Sequence, residues 1–253
     1  MPIHWFAIAL FFLIFLINVL GFNYRRRQFR KDPSRPPEGL GPIESSLLGL
    51  MALMLSFTFS MASTKFEGRR KVITEEANSI GMAILRCDLY PDSMRQAFHR
   101  DYAEYLNARI AYYEAGEDEE KIQATLKKAE HYSYNIWKRT ADYSHDLDHR
   151  VSTAEAVPAI NAMIDIVIAR EVSRFATVPP IILIVLVVLI LIGSFLVGYG
   201  HKGRRNYVLI TGYALMTTIA LYVILELDRP RKGLLNLDRE EHMIVELREL
   251  LKK

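Results

Sequence analysis

Apolar residues along the chain gather into four runs, Ile3 to Phe22, Ile43 to Ser63, Ile181 to Tyr199 and Tyr207 to Leu227. Each is close to the roughly 20 residues that a helix needs to cross the hydrocarbon core of a bilayer. Between the second and third runs the pattern changes. Over residues 64–177 apolar positions recur at helical spacing among charged ones, which predicts a water-exposed helical domain. No proline separates the second run from this domain, and Gly68 is the one glycine near the seam. The pattern therefore predicts one long helix that spans the membrane and continues into the bundle.

The predicted fold class is an all-α membrane protein with four transmembrane helices and a helical bundle inserted between spans 2 and 3. The expected organisation is 1–63 for the first two spans, 64–177 for the bundle, 178–227 for spans 3 and 4, and 228–253 for a C-terminal amphipathic helix. In the bundle, Ile73, Ala77, Ile80, Ile84 and Cys87 mark the inner face of the first helix, which Pro91, Asp92 and Ser93 end. A second helix is predicted from Met94 to Ala115 with Phe98, Tyr102, Tyr105, Leu106, Ile110 and Tyr113 on one face. A third follows from Asp118 to Ser144, and a fourth starts near Ser152 or Thr153 and leads to span 3. No stretch alternates as a half-buried strand does. The segment from Asn23 to Pro42 reads as an irregular basic loop with four prolines. Pro179 and Pro180 suit the first turn of span 3. Near the C-terminus Asp238 and Glu241 form a capping pattern. Behind them Met243, Leu247, Leu250 and Leu251 make a stripe for docking on the bundle or the membrane surface.

Charge refines the picture. The chain carries a net +3, yet residues 65–177 hold 16 basic and 19 acidic side chains, so the positive charge collects at the ends of the spans. There it reads as topology and lipid headgroup contact, not as nucleic-acid binding. The first and third loops hold nine basic residues against seven in the termini. The basic flank of span 1 follows it, so the count favours a bundle outside the cytoplasm. With Cys87 as the one cysteine, no intrachain disulfide is possible.

Candidate chemistry is sparse. No nucleophile elbow, phosphate-binding loop, zinc-protease or Cys-x-x-Cys motif occurs, so neither an enzyme nor a cofactor is expected. His145 and His149, with Asp142 one turn earlier, are metal candidates if the helix persists through them; the plainer reading is a solvated acidic helix end. Glu75, Glu76 and Asn78 sit on a largely apolar helix and suit either a polar vestibule or, the plainer reading, a hydrogen-bonded core or subunit contact. In span 2, Ser45, Gly49, Ala52, Ser56, Ser60 and Ser63 form a small, weakly polar stripe, suited to close helix packing or to a pore wall. Beside it Gly49, Leu53 and Phe57 recur every four residues; repeated by symmetry, such a row makes an apolar constriction.

The segment with Leu47, Leu48 and Gly49, then Ser56 and Phe57, then Phe66, Glu67, Gly68, Arg69 and Arg70 resembles the second membrane helix of bacterial bestrophins. Over most of its length the chain resembles the four-pass bacterial bestrophin-like family. The shared marks are EEANSIG (Glu75 to Gly81), VPP (Val178 to Pro180) and LDRP (Leu227 to Pro230). The resemblance implies a homo-oligomeric, pentameric ion channel of the bacterial inner membrane. Its partners would be the lipid bilayer and inorganic ions, with Leu53 and Phe57 at the neck. Gly49 stands where bestrophins usually carry a bulkier residue. The paired tryptophans after span 2 and the acidic calcium clasp of animal bestrophins are missing from the sequence. Bestrophins hold their large domain in the cytoplasm, against the charge count. The alternative is a non-conducting, membrane-anchored helical sensor or scaffold.

Overall fold

The computed structural model describes residues 3–31, 41–201, 206–229 and 237–252. The prolines between 32 and 40, the basic residues from 202 to 205 and the stretch from Pro230 to Asn236 lie outside the described residues. What is described is helical, without a strand, and four of its helices are long and apolar enough to cross a membrane. The elements are α1 (Ile3–Lys31), α2 (Gly41–Arg86), α3 (Asp92–Glu114), α4 (Glu119–Tyr143), α5 (Arg150–Phe175), α6 (Pro180–Gly200), α7 (Tyr207–Asp228) and α8 (Asp238–Glu246). Single turns of 3-10 helix follow α2 at Cys87–Leu89 and precede α5 at Leu147–His149, and Leu247–Lys252 extends α8.

Two compact units result. The first comprises the described residues of Met1–Phe66 and Thr177–Leu235; the second those of Glu67–Ala176 and Asn236–Lys253. The 46-residue α2 contributes to both, as the unbroken run of helix-compatible residues predicts.

In the membrane unit α1 packs on α6 and α7 through Leu10, Ile14, Leu186, Ile190, Ala214 and Leu221. Glycine sets the α1–α6 approach. A Cβ at Gly198 would collide with the backbone carbonyl of Asn18, and one at Gly21 with that of Phe195. Such small residues let helices meet in lipid, where no hydrophobic force draws them together. Ser194 Oγ donates to the Ile14 carbonyl at 2.7 Å across the same contact. The sequence places an irregular loop from Asn23, but α1 runs on to Lys31. Arginine, lysine and glutamine are good helix formers, and the segment is further held by α6: Arg25 Nη1 donates to the Tyr199 carbonyl at 2.9 Å.

The second unit has its own core. Ile73, Ala77, Ile80, Ile84 and Cys87 of the predicted inner stripe are all buried, and the last four share a core with Phe98, Tyr102, Tyr105 and Leu106 of α3. Asp118 caps α4, accepting from the Lys121 N–H at 3.2 Å. α5 begins at Arg150, two residues before the expected start. The 3-10 turn ahead of it, in which Asp146 Oδ1 accepts from the Asp148 N–H, feeds straight into it. Asp238 is not the cap of α8: Leu237 holds that position, with no side-chain bond. The C-terminal stripe docks on the bundle. Ile244 is fully buried, Met243, Leu247, Leu250 and Leu251 pack around it, and Leu247 lies 3.2 Å from where a Cβ of Gly81 would stand.

Candidate functional site

At about 100° per residue, the membrane part of α2 has two distinct sides. Met51, Thr58 and Ala62 are buried, with Leu48, Met54, Leu55 and Met61 half-buried around them; these meet the rest of the membrane unit. Ser45, Gly49, Ala52, Ser56 and Ser60 point away and are exposed, and Ser63 is half-buried. Leu53 and Phe57 flank that stripe and are 51% and 58% exposed. A side chain added at Gly49 would meet nothing within 4 Å. Among the described residues, most of the small stripe is left uncovered by the chain's own helices. Of the four candidate spans α2 is the least covered, with 17% of its apolar window buried against 28–33% for the others.

The polar triplet separates. Glu75 is exposed and pairs with Lys71 at 3.5 Å, and Asn78 is exposed. Both line a shallow groove with Ser79 of α2 and Ala162 and Asp165 of α5. Glu76 is fully buried and anchors an ionic cluster. Arg109 of α3 donates to its Oε1 through Nε at 2.6 Å, Tyr113 donates to its Oε2, and Arg170 of α5 stands 3.8 Å away. Arg170 in turn lies 3.7 Å from Glu241 of α8. Burial works against the charge on Arg109, but the Glu76 carboxylate outweighs it and holds the pKa above the usual arginine value. Arg109 and Tyr112 stack at 4.6 Å, and Tyr112 donates to Glu171. Sequence reasoning missed Arg109 and Arg170. The available signal was an arginine one turn after Tyr105 and Leu106, on the inner face of α3.

The metal candidates are not brought together. α4 ends at Tyr143, so no helix face joins His145 to His149; His149 lies 3.6 Å from Asp146 instead. No group of three His, Cys, Asp or Glu suited to a metal occurs among the described residues. Cys87 is buried, and burial pushes its thiol up to about 12, far from a reactive thiolate.

The motifs behind the resemblance are joints. In EEANSIG, Glu76 holds the ionic cluster and Gly81 admits Leu247. Arg69 Nη1 donates to the Ala176 carbonyl at 2.8 Å, and Arg70 Nε to Glu240 at 2.8 Å. VPP meets LDRP: the buried Val178 N–H donates to Asp228 Oδ1 at 2.7 Å. Neither Pro179 nor Pro180, at the start of α6, has an N–H, so the nearest amide ahead of the helix is that of Val178, and Asp228 receives it.

No curated protein sequence matches the chain significantly. Among solved structures, a variant of a bacterial bestrophin homologue from Klebsiella pneumoniae superposes with a TM-score of 0.79 at 10% identity, over 100% of this chain and 99% of that one. A second variant gives 0.74 at 12% identity, over 98% and 99%. A structure of that homologue phased on zinc gives 0.73 at 12%, over 97% and 98%. At such identities the likeness is one of fold. The family profile for the Bestrophin-like domain matches residues 8–241. With that match spanning nearly its whole length, this four-span helical membrane protein belongs to the Bestrophin-like family.

Proposed function

We propose that the protein is an oligomeric ion channel of the bacterial inner membrane, with a pathway lined by the outer face of α2. The observation that carries this reading is the exposure of that face. Ser45, Ser56 and Ser60 lie open on a membrane-spanning helix beside exposed Leu53 and Phe57. Hydroxyls gain little from hydrocarbon, so such a face favours other protein or water. Copies of α2 set around an axis would give it both. Ser45, Ala52, Ser56, Ser60 and Ser63 would let neighbouring helices approach. Leu53 and Phe57 would form successive apolar rings that oppose ions by dewetting, with Gly49 leaving the next level open. A pentamer is the assembly the bestrophin resemblance suggests. Glu75 and Asn78, exposed on the same helix further along, would line the path beyond the neck.

The test is ion flux through purified protein in liposomes. Leu53→Ala with Phe57→Ala widens and hydrates the neck, so flux should rise above that of the parent. Phe57→Asp should shift passage toward cations, because a ring of carboxylates favours them. Well-folded Leu53→Ala/Phe57→Ala protein of unchanged oligomeric size that carries no more than empty liposomes would refute the channel and leave a membrane-anchored scaffold.

A further inference from the structure

The basic segment that continues α1 past the membrane is a helix, and this gives its arginines a geometry a loop would lack. The apolar part of α1 ends at Phe22, and α1 runs to Lys31. At 1.5 Å per residue, Arg26 stands about 6 Å and Arg30 about 12 Å beyond Phe22. Headgroups occupy that zone, since a bilayer of about 40–45 Å encloses a hydrocarbon core of about 30 Å. Arg25 is already engaged: it donates to the Tyr199 carbonyl and its guanidinium lies 5.5 Å from the Tyr199 ring centroid. Tyr199 OH donates to Gln28 at 2.9 Å, a second clamp on the same turn. These contacts fix the rotation of α1 about its axis. With Arg25 turned to α6, Arg26, Arg27 and Arg30 fall on the opposite side.

Positions 26 and 30 are four apart and 27 and 30 three apart, so Arg26 and Arg27 each rise beside Arg30, with Cβ atoms about 5–6 Å from its own, on one side of the helix. All three are exposed, and none forms an ion pair with a described residue. Three like charges on one patch repel unless an anion joins them. Tyr24 and Phe29, 52% and 48% exposed, bracket the patch, as aromatic rings do at headgroup depth.

We infer that Arg26, Arg27 and Arg30 form a binding site for the phosphate of an anionic phospholipid headgroup. Guanidinium forks match phosphate oxygens in pairs. A zwitterionic lipid offers the same phosphate but carries a cation beside it, which the arginines repel. The site therefore selects lipids of net negative charge. The inference is independent of conduction, because it concerns α1 and not α2.

Native mass spectrometry of the detergent-solubilised full chain tests it, titrating phosphatidylglycerol against phosphatidylcholine of matched acyl chains. Charge near a membrane surface contributes enough per residue that about a tenfold preference for phosphatidylglycerol is expected. Arg26→Gln/Arg27→Gln/Arg30→Gln should remove the preference, whereas Arg26→Lys/Arg27→Lys/Arg30→Lys should keep part of it. If the glutamine triple fails to fold, Arg27→Gln alone should still weaken it. Equal binding of the two lipids by the parent, or a full preference in a folded glutamine variant, overturns the site. Inorganic phosphate in excess should not displace the lipid; displacement would mark a free-anion site and overturn the lipid assignment.

Discussion

Removing the charge of Glu76 is the sharpest perturbation the second unit offers. Glu76 and Arg109 are both fully buried, and Arg170 is 3% exposed. Breaking a buried pair by removing one partner costs about 3–5 kcal/mol, because the other charge stays in a medium that solvates it poorly. The two single variants are not equivalent. Glu76→Gln leaves two guanidiniums with, among the described residues, Glu241 at 3.7 Å from Arg170 as their carboxylate, and should fall at the upper end. Arg109→Met leaves Glu76 with the Tyr113 hydroxyl and with Arg170 at 3.8 Å, and should fall at the lower end. For a domain of this size each kcal/mol moves Tm by about 2–4 °C, so the singles should melt roughly 6–20 °C below the parent. Glu76→Gln/Arg109→Met removes both charges and should melt well above the value expected from adding the two losses. Thermal melts followed by Trp137, which packs against the second unit's core, would report this directly. Singles within about 2 °C of the parent, or a strictly additive double, would show that the pair is solvated and the reasoning wrong.

Four further outcomes follow from the same structure. Gly198→Ala, which drives a methyl into the Asn18 backbone, should cost at least about 1–3 kcal/mol and yield less monodisperse protein on size exclusion. Gly68→Ala meets nothing within 4 Å and should match or exceed the parent in the same melts, since alanine favours a helix by up to about 1 kcal/mol. Asp228→Ala strands the buried Val178 N–H and should cost about 1–3 kcal/mol, with Asp228→Asn in between because its amide oxygen still accepts. Cys87, its thiol pushed up to about 12, should resist maleimide at pH 8 in the native protein and react fully once unfolded; rapid native labelling would contradict its burial.

The spans and the inner faces of the bundle were legible because burial repeats with the helical period. Ile73, Ala77, Ile80, Ile84 and Cys87 could be read from spacing alone, and so could the two faces of α2. Pairings between distant elements could not. Nothing local tells Glu76 that Arg109 is its partner, or Val178 that Asp228 will receive its amide, since these meet only when separate helices fold together. The basic stretch after Phe22 was misread because charge and nearby prolines suggested a loop, while its arginines, lysine and glutamine are good helix formers. Asp238 misled in the opposite way: a capping pattern was present, but the helix starts at it and not after it. For α2 the sequence offered packing or a pore wall. Among the described residues the stripe is mostly exposed, and the choice rests on what surrounds the chain.

The bond from Val178 to Asp228 joins the second residue ahead of α6 to the last residue of α7. It buckles the start of the third span to the end of the fourth. Its two ends are made at different times. As the chain leaves the ribosome, Val178 arrives 50 residues before the carboxylate that will receive its amide. Until then, that amide must stay in water or find another acceptor. The two spans are thereby tied together: a chain cut short within α7 would lack Asp228 and leave the Val178 amide unfastened.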